Sequence, residues 1–277
     1  MSVRLSGRFA ALKRENRAGL IAYVMADDPD PDRALEIVRA LPAAGADIIE
    51  LGFPFTDPMA DGPSIQRAGQ RSLKAGGSLK STLALLTAFR KADRDTPVIL
   101  MGYANPIEQM GYEAFAANLS GAGGDGAIVV DLPPEEDGPL RAAFARHGLS
   151  IIRLATPTTN ETRLTTVLAQ ASGFVYYVSV TGVTGAKAVG AEAARAAVSR
   201  LKARTDLPVA VGFGVRDAAS AASIAQAADA VVVGSAFVDE IARLVDDGRA
   251  SEAPRAVAAK VRELSEAVRA ARQMERA

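Results

Sequence analysis

Eight short runs of apolar residues recur along the chain, each followed by a segment with helical spacing, and this alternation restricts the fold more than any other feature. The runs cover 20–25, 47–51, 98–101, 127–130, 150–154, 174–178, 209–212 and 229–233. They are dense in Val, Ile and Leu and do not alternate strictly with polar residues, which predicts parallel strands covered on both faces. Between them the helices announce themselves. Ala34, Ile37, Val38 and Leu41 fall at i, i+3, i+4 and i+7, a single apolar face. Ser78 or Ser81 offers an N-cap ahead of Leu83, Leu85, Leu86 and Phe89. Eight such units favour a closed (β/α)8 barrel over an open doubly wound sheet. The GxGxxG that would mark the open alternative does not follow the first run. Residues 8–16 predict a short helix capping the barrel bottom, and 252–277 a charged amphipathic C-terminal helix. No linker or shift in composition interrupts the pattern. The expectation is α/β, a single TIM-barrel domain over residues 1–277 with extra N-terminal and C-terminal helices.

Composition narrows the chemistry. The length of 277 residues suits one barrel of about 250 residues. Lys and Arg together number 32, as do Asp and Glu, so no global field draws the chain to nucleic acid or an acidic membrane. There is no Cys, which removes disulfides, thiolate metal sites and Cys nucleophiles, and a single His, His147, argues against a His-based metal cluster or a Ser-His-Asp triad. His147 ends a helix before a strand, a position that suits a cation at a helix C-terminus. No stretch of 18 uncharged apolar residues occurs, and the first residues lack a signal-peptide core. A cytoplasmic protein is expected, with no metal and no membrane span.

The second run leads into the most unusual stretch, 47–66, DIIELGFPFTDPMADGPSIQ. Glu50 sits where a buried strand leaves the core. Asp57 and Asp61 follow in a loop whose backbone is restricted by Pro54, Pro58, Gly62 and Pro63. A loop stiffened this way can hold carboxyls where general acid–base chemistry needs them. An ordinary βα loop with solvated acids would have the same spacing.

In a barrel of this kind the C-terminal strand ends carry the chemistry. Glu50, Asp61, Tyr103, Asn105, Asp131, Thr156, Tyr176, Thr184, Gly214 and Ser235 all fall there. The segments Gly212-Phe213-Gly214 and Gly234-Ser235 follow the seventh and eighth runs, where such barrels bind phosphate on backbone N–H groups. Glycines needed only for turns are the competing reading. A third segment, 181–185, TGVTG, has glycines able to act as hinges of a lid.

Four segments, ELGFPFTDPMADGPSIQ, SVTGVTGAKA, GFGV and VVVGSA, together resemble the tryptophan synthase α subunit family, and the likeness runs from about residue 8 to 270. The resemblance implies a lyase that reversibly cleaves indole-3-glycerol phosphate to indole and glyceraldehyde 3-phosphate in tryptophan biosynthesis. It implies Glu50 as acid/base and Asp61 as the group stabilising the indole N–H. Tyr176, Thr184, Gly185, Phe213, Gly214, Gly234 and Ser235 would bind substrate, and Asp57 with Thr184 would couple two mobile loops. No cofactor is expected on this chain. Pyridoxal phosphate is expected only on a β subunit partner, in an α2β2 heterotetramer. Two alternatives stay open: a stand-alone lyase, and a barrel that mainly activates its partner. Other phosphate-binding barrels, such as isomerases, lack this loop, and no Lys lies in the predicted strands to serve an indole-glycerol-phosphate synthase. Three departures from the family pattern stand out: VMADDP in place of a Gly before Asp-Pro, a bulky Val130 beside the indole pocket, and the segment MGYANP.

Overall fold

The structure, a computed structural model, describes residues 2–178, 191–212 and 214–272. Ser2 caps the first helix, α1 (Val3–Arg14), its side chain accepting from the Leu5 N–H, so the helix begins five residues earlier than its apolar spacing predicts. The first half of the chain then runs β1 (Gly19–Met25), α2 (Pro31–Ala44), β2 (Ile48–Gly52), α3 (Pro63–Lys74), α4 (Leu79–Arg90), β3 (Val98–Gly102), α5 (Ala104–Met110), α6 (Tyr112–Gly121), β4 (Gly126–Val129) and α7 (Gly138–Arg146). The second half runs β5 (Ser150–Ile151), β6 (Arg153–Ala155), α8 (Glu161–Ala169), β7 (Val175–Val178), α9 (Ala191–Lys202), β8 (Val209–Gly212), α10 (Ala218–Ala225), β9 (Ala230–Val233), α11 (Ser235–Asp246) and α12 (Ala253–Ala270).

Every ladder is parallel, and the order β5-β4-β3-β2-β1-β9-β8-β7-β6 brings the two ends of the sheet together at consecutive segments. β5 and β6 are the two halves of the fifth predicted run, parted at Ile152. The lower half pairs with β4 and the upper half with β7, so one split strand closes the barrel. The eight-strand expectation holds with that single break.

The apolar residues divide between two cores. Ile21, Ile48, Ile99, Ile128, Ile152, Phe174, Ala210 and Val232 fill the lumen, and Leu5, Phe9 and Leu12 of α1 pack with them. Phe9 meets Phe174 with ring centroids 5.6 Å apart. α1 therefore plugs the bottom, as its amphipathic pattern predicts. The alternate strand residues, Leu20, Ala22, Val24, Ile49, Leu51, Leu100, Val209, Val211 and Val231 among them, face the helical ring and make the outer core. This two-sided burial is why the strands read as unbroken apolar runs.

One element departs from expectation. The segment MGYANP, whose Tyr103 and Asn105 the sequence places at a strand end, turns at once into helix: Tyr103 is the N-cap of α5 and Ala104 to Pro106 lie in its first turn. Pro106 is tolerated in the first turn of a helix, where its missing N–H would have no partner anyway. Asp131 supplies the stabilising acceptor: its Oδ1 takes the Ala104 N–H at 2.8 Å. That contact spans 27 residues and has no local signature.

Candidate active site

β2 places Glu50 two residues above Ile48 on the lumen side. The carboxyl is 1% exposed, and its Oε2 meets no hydrogen-bond partner among the described residues. Burial, reinforced by the negative charge of Asp61, pushes the Glu50 carboxyl up to about 8. The strand thus carries an acid that holds its proton at neutral pH.

The loop from Phe53 to Gly62 arches over the lumen and is fastened at several points. Phe53 N–H donates to the Met101 carbonyl at 3.0 Å, and its ring lies over Gly102, where a Cβ would fall 2.3 Å from Cζ. Further along, Asp61 N–H donates to Pro58 O at 3.1 Å, and Asp61 O accepts from Gln66 Nε2 at 2.9 Å. Tyr103 completes the hold: its hydroxyl accepts the Ala60 N–H at 3.0 Å and hydrogen-bonds to the Asp61 carboxylate. Burial raises Asp61 to about 6, with the Tyr103 hydrogen bond pulling the other way. The two carboxyls are thereby separated in proton affinity, the usual basis for dividing acid and base roles.

The neighbouring aromatic residues depend on small partners. Tyr176 on β7 reaches across to β8, where a Cβ at Gly212 would fall 2.5 Å from its hydroxyl. It packs with the lumen residues, and burial together with the Glu50 charge raises its hydroxyl well above the ordinary tyrosine range. Tyr23 on β1, directly paired with Glu50 across the ladder, belongs to the same layer. It was hidden in the apolar run 20–25. The available signal was a polar-tipped ring inside an otherwise aliphatic strand. Met101, Val130 and Leu154 supply the apolar wall of this level, so Val130 does face the lumen.

On the same rim, beyond β1 at the end of β9, Gly234 is the N-cap of α11 and Ser235 its first residue; no acidic side chain stands in the first turn. The free N–H groups there form a site for an anion. Gly214 is exposed with φ +63°, and no atom lies within 4 Å of a Cβ built on it. Its requirement for glycine is therefore one of backbone conformation. Thr184, Gly185 and Phe213 lie outside the described residues, as does the whole predicted lid.

Other rim residues have structural duties. Asp131 holds α5, Asn105 is exposed on that helix, and the Thr156 hydroxyl joins Thr158 and Thr159 in a local turn. Asp57 is exposed and hydrogen-bonded to Thr56. In the VMADDP segment, Asp27 adopts φ +57° and accepts from Ser81 Oγ at 2.6 Å. Asp tolerates the left-handed conformation better than most residues, so the turn that a Gly would make is retained. Asp28 is buried and held by Arg71 of α3 through two bonds of 2.7 and 2.8 Å.

A closed parallel barrel with two unlike carboxyls over its lumen and a bare helix N-terminus on the same rim has the build of a barrel enzyme. The family model described as tryptophan synthase alpha chain matches residues 9–270. The tryptophan synthase alpha chain of Caulobacter sp. (strain K31) is 55% identical over 269 residues, 97% of each chain, and that of Granulibacter bethesdensis is 52% identical over 270 residues with the same coverage. The crystal structure of tryptophan synthase subunit alpha from Legionella pneumophila str. Paris superposes with a TM-score of 0.89 at 38% identity, covering 97% of this chain and 98% of its own. A Mycobacterium tuberculosis tryptophan synthase structure gives 0.87 at 39%, covering 97% and 99%. The chain belongs to the tryptophan synthase α chain family, a family of lyase-type enzymes whose reaction is the cleavage of indole-3-glycerol phosphate.

Proposed function

We propose that this chain releases indole and glyceraldehyde 3-phosphate from indole-3-glycerol phosphate with Glu50 as the acid–base group and Asp61 as acceptor for the indole N–H. The observation that carries the assignment is the separation of the two carboxyls, Glu50 pushed to about 8 and Asp61 to about 6, over one lumen. Near pH 7 Glu50 is protonated and Asp61 largely ionised. Glu50 gives its proton to ring carbon 3, and the positive charge that develops on the ring nitrogen rests against Asp61. The Glu50 carboxylate then takes the proton of the side-chain hydroxyl. As that carbon becomes an aldehyde, the carbon–carbon bond breaks and its electron pair returns to the ring. Glu50 ends the cycle protonated.

Tyr176 borders the indole, and the phosphate sits at Gly234 and Ser235 with Gly214 alongside. Phe213, Thr184 and Gly185 are assigned to substrate binding and Asp57 with Thr184 to loop coupling by family likeness. The chain needs no cofactor of its own. Its partner is a tryptophan synthase β subunit carrying pyridoxal phosphate, in an α2β2 assembly. The exposed Met59 on the loop above Asp61 supports a docking face there. Phe53 and Pro54, from the same apolar stretch, are buried and unavailable to a partner, and Phe55 stacks on Tyr103 at 5.3 Å.

The test is to supply the purified chain with indole-3-glycerol phosphate, with and without a β subunit, and to measure indole. Release by the chain alone that a β subunit accelerates supports the proposal. Release indifferent to the β subunit would favour a stand-alone lyase. No release under either condition would refute the cleavage reading and leave a barrel that only activates its partner.

A further inference from the structure

Tyr23 and Glu50 occupy facing positions on adjacent parallel strands. Both belong to the lumen side, since Ile21 and Ile48, each two residues below, are lumen residues. The Tyr23 ring stands between two glycines. A Cβ at Gly234 would fall 3.2 Å from its Cδ1, and one at Gly52 only 2.4 Å from its hydroxyl oxygen. The hydroxyl therefore leans over β2 above Gly52, the next inward-facing position after Glu50, ~7 Å further along the strand. No described residue gives that hydroxyl a hydrogen bond, although Tyr23 is only 5% exposed. Glu50 Oε2, on the facing residue of the neighbouring strand, is likewise without a partner among the described residues. Glu50 Oε2 is a buried polar atom left unpaired, which is costly, and the hydroxyl on the facing residue is a donor with no acceptor of its own.

We infer that Tyr23 is a positioning residue for Glu50, its hydroxyl turning to donate to the Glu50 carboxylate once that group has released its proton. The inference rests on the proposed role of Glu50. The groups facing the pair are Asp61 from the loop after β2, Asp28 in the turn after β1, Tyr103 after β3 and Tyr176 on β7. The cation nearby, Arg71 of α3, is taken by Asp28. Burial first, then the charges of Asp61, Glu50 and Asp28, hold the Tyr23 phenol well above its ordinary range, so it remains a donor wherever the enzyme works. A neutral donor suits this role because it stabilises the carboxylate without preventing its reprotonation.

Tyr23→Phe removes one oxygen and leaves the ring between its glycines. Its kcat is expected to fall about tenfold with KM within about twofold, and the alkaline limb of the pH profile to move up by about one pH unit. The same displacement is expected in a carboxyl titration by carbon-13 NMR, with the Glu50 signal assigned by its loss in Glu50→Gln. Tyr176→Phe serves as the comparison and is expected to move that titration less. An unmoved Glu50 titration overturns the inference, whatever the rate does. A raised KM with unchanged titration would make Tyr23 only a wall of the pocket. Should Glu50→Gln keep its activity, the acid–base reading fails instead, while the titration still reports whether Tyr23 donates to Glu50.

Discussion

Glu50 sets its own stability against its chemistry. Its carboxyl moves from an ordinary value of 4.5 to about 8 on folding. Between those values the native state binds more protons than the unfolded chain, so stability falls as pH rises from 4.5 toward 8. The penalty is fully present above 8 and amounts to a few kcal/mol, since each tenfold change in proton affinity corresponds to about 1.4 kcal/mol. Glu50→Gln is therefore expected to raise Tm at pH 8.5 clearly more than at pH 5, while indole release falls about 10²–10⁴-fold. Thermal unfolding at the two pH values checks the first part, and a lower Tm at pH 8.5 would contradict the burial argument. The pair of carboxyls also shapes the rate profile. The proposed forward cleavage needs Asp61 ionised and Glu50 protonated, so kcat/KM should rise through about 6 and fall through about 8. In Asp61→Asn the residual rate should lose its acidic limb; a limb that persists would assign that ionisation to another group. Glu50 and Asp61 were legible because one puts a carboxyl inside an apolar strand and the other sits in a proline-restricted loop. Tyr23 was not, because its significance comes from a ladder partner 27 residues away, Tyr23 against Glu50.

At the scale of elements, the glycines at strand ends act on the residues of neighbouring strands. Gly52, Gly102 and Gly212 each leave room for a ring: Tyr23, Phe53 and Tyr176. Gly102→Ala places a methyl inside the Phe53 ring position and should displace the loop that carries Asp61. Expected are a lower kcat and a stability loss of about 1–3 kcal/mol by overpacking, read from urea unfolding and steady-state kinetics. Wild-type values for both would show that Phe53 has another place to go. The start of α11 allows a separate test of the phosphate position. Ser235→Asp adds a negative charge beside free N–H groups, which favours the helix and opposes an oxyanion. Affinity for glycerol 3-phosphate should drop more than tenfold with Tm unchanged or higher, measured by calorimetry and thermal melts. Unchanged affinity would move the phosphate elsewhere. Gly214→Val answers a different question than spacing suggests, since φ +63° strains any β-branched residue there whether or not phosphate binds.

For the whole molecule, α1 closes the bottom of the lumen, which leaves the upper rim for substrate, and the proposed partner is expected on that same rim. Met59 stands exposed on that rim close to the loop residues that hold Asp61. If a β subunit docks there, Met59→Lys should weaken co-sedimentation with it at micromolar concentration while leaving the rate of the isolated chain within about twofold. Asp57→Ala should blunt the acceleration that the β subunit gives. A complex indifferent to both substitutions would place the interface on another face. Among the described residues no helix is long and apolar enough to cross a membrane.

The sequence by itself determined the order of strands and helices, the closed barrel they imply, and the two carboxyls most worth attention. Those are local properties: apolar runs, helical spacing, capping residues and backbone-restricting prolines. Only the tertiary structure decided where the fifth strand splits and that 104–110 is helical on account of Asp131. It alone brought Tyr23 beside Glu50 and Tyr103 beneath Asp61. It also separated two acids of similar intrinsic strength to about 8 and about 6. Ladder register, ring packing over distant glycines and desolvation depend on which segments meet when the barrel closes, and no window of sequence contains that information.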